Sequence, residues 1–588
     1  MDEKDDKGPI ERGKTILSPK SGLRQSKTST PPPPAPAFPP RRVEPESMRP
    51  QAANRTPAVT TYTLGGSGIN PLARAAGPLL MLAGRLRHAH APVDIAALRA
   101  RLHSEVRLFD SRVLRSGVPD DHVQVARYAL CATLDEAISS SDWGARDDWN
   151  TRSLTLEFHP ELAGGSQFFQ FLERMEREPR HHAWPLEVLY LCLNLGFEGR
   201  LGGAPRQQAE LDAIRYRLSA TIQALTGKAP KPLSDRWQTA ARGAGRGPAT
   251  ALAWLKPGRM AAWVNDRIRR GIRKPFLDDA SAAAGLERRL GEAITRAAGH
   301  PAQGGRVEEL PWLIVLGAAG AGKTSAIRQS GLEFSSVPVP GDGHDCDWWI
   351  TREAILLDVA GRTDWTQLLP FLASRRRRIQ GLAVTWSASD LLQSDSHLVA
   401  AIQEVHRRIA ELGAIVSPSP PLYLLVTKMD LLPGFREYFD DLDAADRRQV
   451  WGVTFDFEDS RSGRAVHTLS SEFDALAGRL HDRTCQRLRD EATLLKRTSL
   501  FEFPQQFAML KPGIIRIVDG IGAATGQSAH PQVRGVYFSG VPGPGTRVDA
   551  LREHVGPPPG GGRCDSPGGF FIERLFREVV LREIGMIR

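Results

Sequence analysis

The sequence predicts a multidomain chain: an all-α helical bundle, then an α/β domain built on a phosphate-binding loop, then a mostly helical C-terminal subdomain. Three observations predict it. Residues 61–227 carry apolar positions at helical spacing with almost no strand signal. Residues 275–495 alternate short apolar runs with helical stretches, as an α/β sheet with crossover helices requires. At the end of the run Trp312-Leu313-Ile314-Val315-Leu316 stands Gly317 to Thr324, which reads G-A-A-G-A-G-K-T.

In chain order, residues 1–60 are charged, then Pro-rich, with Pro31 to Pro34 consecutive, and are expected to be a disordered tail. In the bundle, Pro78 to Leu82 with Leu86 mark one buried helix, and Ile95, Leu98, Leu102, Val106 and Phe109 mark a second. Val123 to Ile138 and Leu186 to Phe197 are apolar all round, as central helices are. Residues 228–274 form a basic linker in which Met260, Trp263, Val264, Ile268 and Ile272 share one helical face. The stretch 250–274 either rests on an anionic membrane surface or packs as a linker helix, and both readings stay open. After the α/β domain, a mixed-charge helix is expected over Asp474–Lys496. Residues 496–588 hold one short strand, Gly535 to Phe538, a Pro557–Gly562 loop, and an amphipathic helix from about Phe570 to Glu583.

The 588 residues carry a net charge of +10, compatible with an acidic partner, a phosphate ligand or an anionic membrane. No aromatic–basic interleaving points to nucleic acid. Five scattered cysteines show no zinc spacing and suit a reducing, cytosolic setting. No secretory signal is visible, and no stretch approaches the ~18 apolar residues of a membrane-spanning helix.

Gly317 to Thr324 fits G-x-x-x-x-G-K-[ST]. Gly317, Gly320 and Gly322 let backbone N–H groups converge on phosphate oxygens, and Ser325 extends the same turn. Lys323 would reach the β/γ-phosphates and the Thr324 hydroxyl would ligate Mg²⁺. Asp358 closes the next apolar run in a D-x-x-G pattern; it would hold Mg²⁺ through water, and Gly361 would approach the γ-phosphate. The strand Pro421 to Val426 leads into Thr427-Lys428-Met429-Asp430, a GTPase-like base-reading element with Thr in place of Asn. Asp430 would accept hydrogen bonds from guanine, with Lys428 packed along the base. The expected ligands are GTP or ATP with Mg²⁺, and the base remains open. Arg362 stands where a Ras-like site places its water-orienting Gln, and no switch Thr occurs between Ser325 and Trp349. Arg362 is the candidate catalytic residue, able to stabilise charge but not to orient water, so slow or conditional hydrolysis is expected.

Asp135 and Glu136 precede Asp142, Asp147 and Asp148 and read either as an acidic docking surface or as a solvated helix end. Glu198 and Arg200 read as an ion pair or a contact edge, and Arg375 to Arg378 as a solvated face. His88, His90, His181 and His182 have no supporting ligands in sequence, and no Ser/His/Asp or Cys/His constellation can be argued.

Longer runs carry a resemblance. Ala126-Arg127-Tyr128-Ala129-Leu130-Cys131-Ala132-Thr133-Leu134-Asp135-Glu136-Ala137, Trp143-Gly144, and Leu189 through Gly196-Phe197-Glu198-Gly199-Arg200 resemble the cytoplasmic domain of the DotU/TssL family. Leu310-Pro311-Trp312, Cys346-Asp347-Trp348-Trp349, Thr427 through Gly434-Phe435, Val450-Trp451-Gly452 and Arg534 to Phe538 resemble the cytoplasmic part of the IcmF/TssM family. The resemblance implies a fusion of two inner-membrane partners of type VI secretion. It implies a cytoplasmic scaffold tied to the membrane complex and baseplate, held at the inner membrane peripherally or through partners. The spans and periplasmic region of those families have no counterpart here: either the chain rides on other membrane subunits, or the basic segment 228–274 supplies peripheral attachment, or this is a truncated or divergent form. An autonomous slow GTPase or ATPase, or an adaptor with a vestigial loop, remains as an alternative.

Overall fold

The computed structural model describes residues 70–89, 94–141, 143–144, 149–162, 167–226, 232–234, 280–299, 307–337, 346–359, 363, 365–392, 395–416, 420–523, 532–541 and 568–586. The N-terminal tail, the basic stretch 250–274, the 343–345 stretch and the Pro557–Gly562 loop lie outside the described residues.

The bundle holds α1 (Pro71–Leu86), α2 (Ile95–Leu114), α3 (Asp120–Ser139), α4 (Gln167–Glu176), α5 (Ala183–Asn194) and α6 (Pro205–Thr226). Asn70 caps α1 by accepting from the Leu72 amide, and Asp94 caps α2 through the Ala97 amide. The all-apolar readings hold: α3 and α5 are the central helices, and α5 is buried over almost its whole length. Glu198 and Arg200 do not pair with each other among the described contacts. Arg200 lies over the Phe169 ring, 5.2 Å from its centroid.

After α7 (Ala280–Ala298) comes an eight-stranded sheet. Its strands are β1 (Trp312–Gly317), β2 (Phe334–Ser336), β3 (Cys346–Thr351), β4 (Ile355–Val359), β5 (Ile379–Ser387), β6 (Pro421–Thr427), β7 (Gly452–Thr454) and β8 (Gln532–Phe538). The spatial order is β2-β3-β4-β1-β5-β6-β8-β7. The five strands β4, β1, β5, β6 and β8 run parallel, and β3 and β7 flank them antiparallel. A parallel strand buried on both faces needs continuous apolar residues, which is why these runs do not alternate in polarity. Trp312, Ile314 and Leu316 face one core, and Leu313 and Val315 face the other.

The connecting helices are α8 (Lys323–Arg328), α9 (Trp365–Ser374) and α10 (Asp395–Ile415), followed by α11 (Ala465–Asp490), α12 (Leu494–Met509) and α13 (Lys511–Ala523). The expected boundary at 495 is not where the sheet ends. β8, drawn from the C-terminal segment, sits between β6 and β7. The last helix also belongs to the α/β unit: Leu575, Phe576, Val580 and Ile584 cover the face of the sheet opposite α11–α13. Its Glu583 accepts from Arg534 Nε at 2.7 Å and from Tyr423 Oη at 2.5 Å. It is π-wound over Leu575–Leu581, and Phe571 lies before it with φ 64°, so the expected start near Phe570 is too early.

The bundle packs directly on α11 and α12. Buried Arg85 on α1 pairs with buried Glu502 on α12. Buried Glu187 on α5 pairs with buried His481 on α11, and Tyr190 Oη donates to the Cys485 carbonyl at 2.9 Å. No helix among the described residues is long and apolar enough to cross a membrane.

Candidate functional site

Register places the candidate residues on one edge of the sheet. Val315 of β1 lies beside Asp358 of β4, Gly317 beside Thr385 of β5, Ser387 beside Thr427 of β6, and Val426 beside Phe538 of β8. The loops leaving β1, β6 and β8 therefore emerge together at the carboxyl ends of parallel strands, where open α/β sheets bind ligands.

The loop after β1 turns through Gly320 (φ 77°) and Gly322 (φ 83°), left-handed values that disfavour any other residue. Gly317 has a second reason: a Cβ there would lie 2.5 Å from the Thr385 carbonyl oxygen. The six-residue α8 begins at Lys323. Lys323 Nζ donates to the carbonyls of Gly317 (2.9 Å) and Ala318 (2.8 Å), which curls the side chain back over the loop. Burial lowers its pKa, a cost that an anion in the loop would offset. Thr324 Oγ1 donates to Asp358 Oδ2 at 2.5 Å, so the two candidate Mg²⁺ ligands are side by side. Burial raises the Asp358 pKa, against the Thr324 hydrogen bond and the Lys323 charge.

Gly320, Gly322, Lys323, Thr324, Ser325, Thr427, Lys428, Asp430, Leu431 and Val541 line one cavity of about 260 Å³. The phosphate-loop and base-loop candidates thus share one space. Asp358 and Gly317 stand behind it as supports, and Gly361 and Arg362 lie outside the described residues.

Within the base loop the roles differ from the expectation. The Thr427 hydroxyl, expected at the base, is turned to the scaffold. It donates to Ala321 O at 2.6 Å, with Trp386 O at 3.2 Å, tying the phosphate loop to β5 and β6. Lys428 adopts φ 58°, one of two non-glycine residues with positive φ among the described residues. Asp430 is buried, and its pKa is raised by that burial. Its Oδ1 accepts from the Val541 amide at 3.0 Å, while Arg436 stands 4.0 Å from Oδ2. Leu431 and Val541 line the cavity without having been singled out in sequence, and Val541 comes from the loop after β8. The only signal for Val541 is Ser539-Gly540-Val541 following an apolar strand.

The proposed acidic docking pair is corrected by its burial and partners. Asp135 is buried and accepts from Trp149 Nε1 (2.9 Å), the amides of Leu154 and Thr155 (both 2.8 Å), and Thr155 Oγ1 (2.7 Å). Glu136, one quarter exposed, accepts from Arg87 (2.7 Å) and from the amides of Glu198 (2.9 Å) and Gly199 (2.7 Å). Both carboxylates hold loops of the bundle in place, leaving little to offer a partner. His182 is not isolated either: its Nδ1 lies 3.1 Å from His122 Nε2.

With this geometry established, the comparisons with known proteins fall into two blocks. Residues 71–264 match the family described as type VI secretion system protein DotU. Residues 360–588 match the IcmF-related N-terminal domain. The type VI secretion system component TssM1 of Pseudomonas aeruginosa is 35% identical over 342 residues, covering 52% of this chain and 31% of that protein. The chain therefore spans about a third of that curated relative's length. TssL of Vibrio cholerae is 33% identical, covering 26% of this chain and 97% of that one, with a TM-score of 0.25. The cytoplasmic domain of TssL from Acinetobacter baumannii is 24% identical, covering 26% and 98%, also with a TM-score of 0.25.

Proposed function

From a chain that joins a DotU/TssL-family region to an IcmF/TssM-family region, we propose a cytoplasmic scaffold of a type VI secretion membrane complex that links the complex to the baseplate. The cavity at the sheet edge binds GTP or ATP with Mg²⁺, and nucleotide state biases the scaffold's contacts. The supporting observation is the convergence of three loops on that cavity, with the Lys323 ammonium held there by backbone carbonyls.

In this reading the loop amides and Lys323 bind phosphate, Thr324 and Asp358 hold Mg²⁺, and Asp430 reads the base. Asp430 is suited to that role because Val541 engages only one of its oxygens by a full hydrogen bond. A packed route leads from the base loop to the bundle. Gly434 approaches α12 so closely that a Cβ would lie 2.1 Å from Ser499 O. Phe435 meets Phe503 at 5.3 Å between ring centroids, and neighbouring Glu502 holds Arg85 of α1. Such contiguity supplies a packed route along which nucleotide state would be coupled to the bundle.

The test is titration of the full chain with fluorescent GTP and ATP analogues, followed by co-purification with membrane-complex and baseplate partners. Lys323→Ala is expected to weaken nucleotide binding at least about tenfold through loss of a charge-assisted phosphate contact, and to alter assembly with the fold retained. A wild-type chain that binds neither nucleotide would sink the switch and leave the adaptor reading. Rapid unstimulated turnover that tracks biological activity would favour the autonomous enzyme.

A further inference from the structure

We propose that Glu187, His481 and Cys485 form a zinc-type metal site that staples the helical bundle to the α/β unit. Their ligand atoms all lie within 4.8 Å of one another. His481 and Cys485 sit one helical turn apart on α11, so their side chains leave the same face. Glu187 reaches them from α5, across the seam between the two regions. His481 Nε2 contacts Glu187 Oε1, and Cys485 Sγ lies 3.8 Å from the same nitrogen. One ion with bonds of about 2.0–2.3 Å can bridge atoms so spaced after small side-chain adjustments.

The surroundings resemble a supported site. Glu187 Oε2 accepts from Asn70 Nδ2 at 3.0 Å, which orients the carboxylate. Tyr190 Oη donates to the Cys485 carbonyl and fixes that turn of α11. A thiolate, an imidazole and a carboxylate together favour Zn²⁺ over Mg²⁺ or Ca²⁺, and three protein ligands leave a fourth position for water. Glu187 and His481 are buried and Cys485 is partly exposed.

Metal binding forms bonds to Nε2, Sγ and the carboxylate, and it requires a neutral imidazole and a thiolate, so any proton these ligands carry leaves to bulk solvent as the dication enters. This inference does not depend on nucleotide binding, and its test leaves that reading untouched.

The full chain, stripped by chelator, is titrated with Co²⁺ as a spectroscopic probe and then with Zn²⁺ as competitor. We expect one Co²⁺ per chain, a thiolate-to-cobalt charge-transfer band, and displacement by Zn²⁺. Calorimetry in buffers of different ionisation enthalpy should read net proton release on binding, because the thiol must ionise to ligate. Cys485→Ser should lose the band and at least about tenfold in affinity, while its circular dichroism matches the metal-free wild type. A wild-type chain without the band, a band that survives Cys485→Ser, or binding without proton release would each overturn the site. The wild-type titration decides the question even if a variant misfolds.

Discussion

His159 shows how one side chain can make stability depend on pH. It is almost fully buried, and its Nε2 accepts from Arg127 Nε at 3.2 Å, which requires a neutral ring. Burial first, and the Arg127 charge second, lower its pKa to about 4 from 6.5. The unfolded chain therefore takes up a proton as pH falls through 6.5, while the folded chain resists until about 4. Stability from this group is complete above the upper value and is lost across the window, by up to about 3 kcal/mol. His88, His122 and His182 are also lowered and act in the same direction, whereas raised His481 acts against them. Comparison with His159→Gln isolates the one group. In urea unfolding, the variant's deficit relative to wild type should be largest at pH 7 and should shrink toward pH 4. A deficit constant with pH would show that His159 does not titrate in this way. The residue scale is also where sequence reading stops short. The placement of Lys323 and Thr324 on one loop-lined cavity was legible because it follows from a local pattern. Asp135, Thr427 and Val541 were not, because their roles are set by partners remote in sequence: Thr155 for Asp135, Ala321 for Thr427, and Asp430 for Val541.

At the scale of elements, helix periodicity and buried strand runs were readable, and, Ile95 apart, the apolar residues named for α2, α3 and α5 are in the core. What failed was sheet membership. Gly535 to Phe538 was legible as a strand, but nothing local tells a strand which neighbour it joins, and β8 crosses back to lie beside β6. Helix–helix contact was equally hidden. Gly77 and Gly84, two turns apart on α1, look like helix weakeners, yet both face α12. A Cβ on Gly84 would lie 2.8 Å from Thr498 Cγ2, whereas one on Gly77 would meet the mobile amide of Gln505 at 2.2 Å. Thr498 is stiff at its branched carbon and Gln505 can swing aside, so the two glycines should respond differently. Gly84→Leu should destabilise the chain by about 1–3 kcal/mol through overpacking. Gly77→Ala should lie near neutral, because helix propensity returns about 1 kcal/mol against a small displacement. Chemical denaturation of the two variants checks this, and equal losses would mean that α1 and α12 do not meet as described.

At the scale of the whole molecule, the question is whether the bundle and the α/β unit behave as one cooperative body. The seam is apolar around α1 and α12 but encloses two ion pairs, Arg85–Glu502 and Glu187–His481. Buried pairs of this kind add little net stability over apolar packing, but they penalise separation of the partners from one another. The arrangement therefore specifies one docking geometry more than it strengthens the dock. Arg85→Leu leaves Glu502 buried and uncompensated, at a cost of about 3–5 kcal/mol. The double variant Arg85→Leu/Glu502→Leu removes both charges and should recover most of that loss. Scanning calorimetry should show one transition in the wild type and in the double variant. In the single variant the seam opens first, and the transition should broaden or split. If the double variant is as damaged as the single, the two residues act through separate partners, and docking geometry rests on the apolar contacts of α1 and α12 instead.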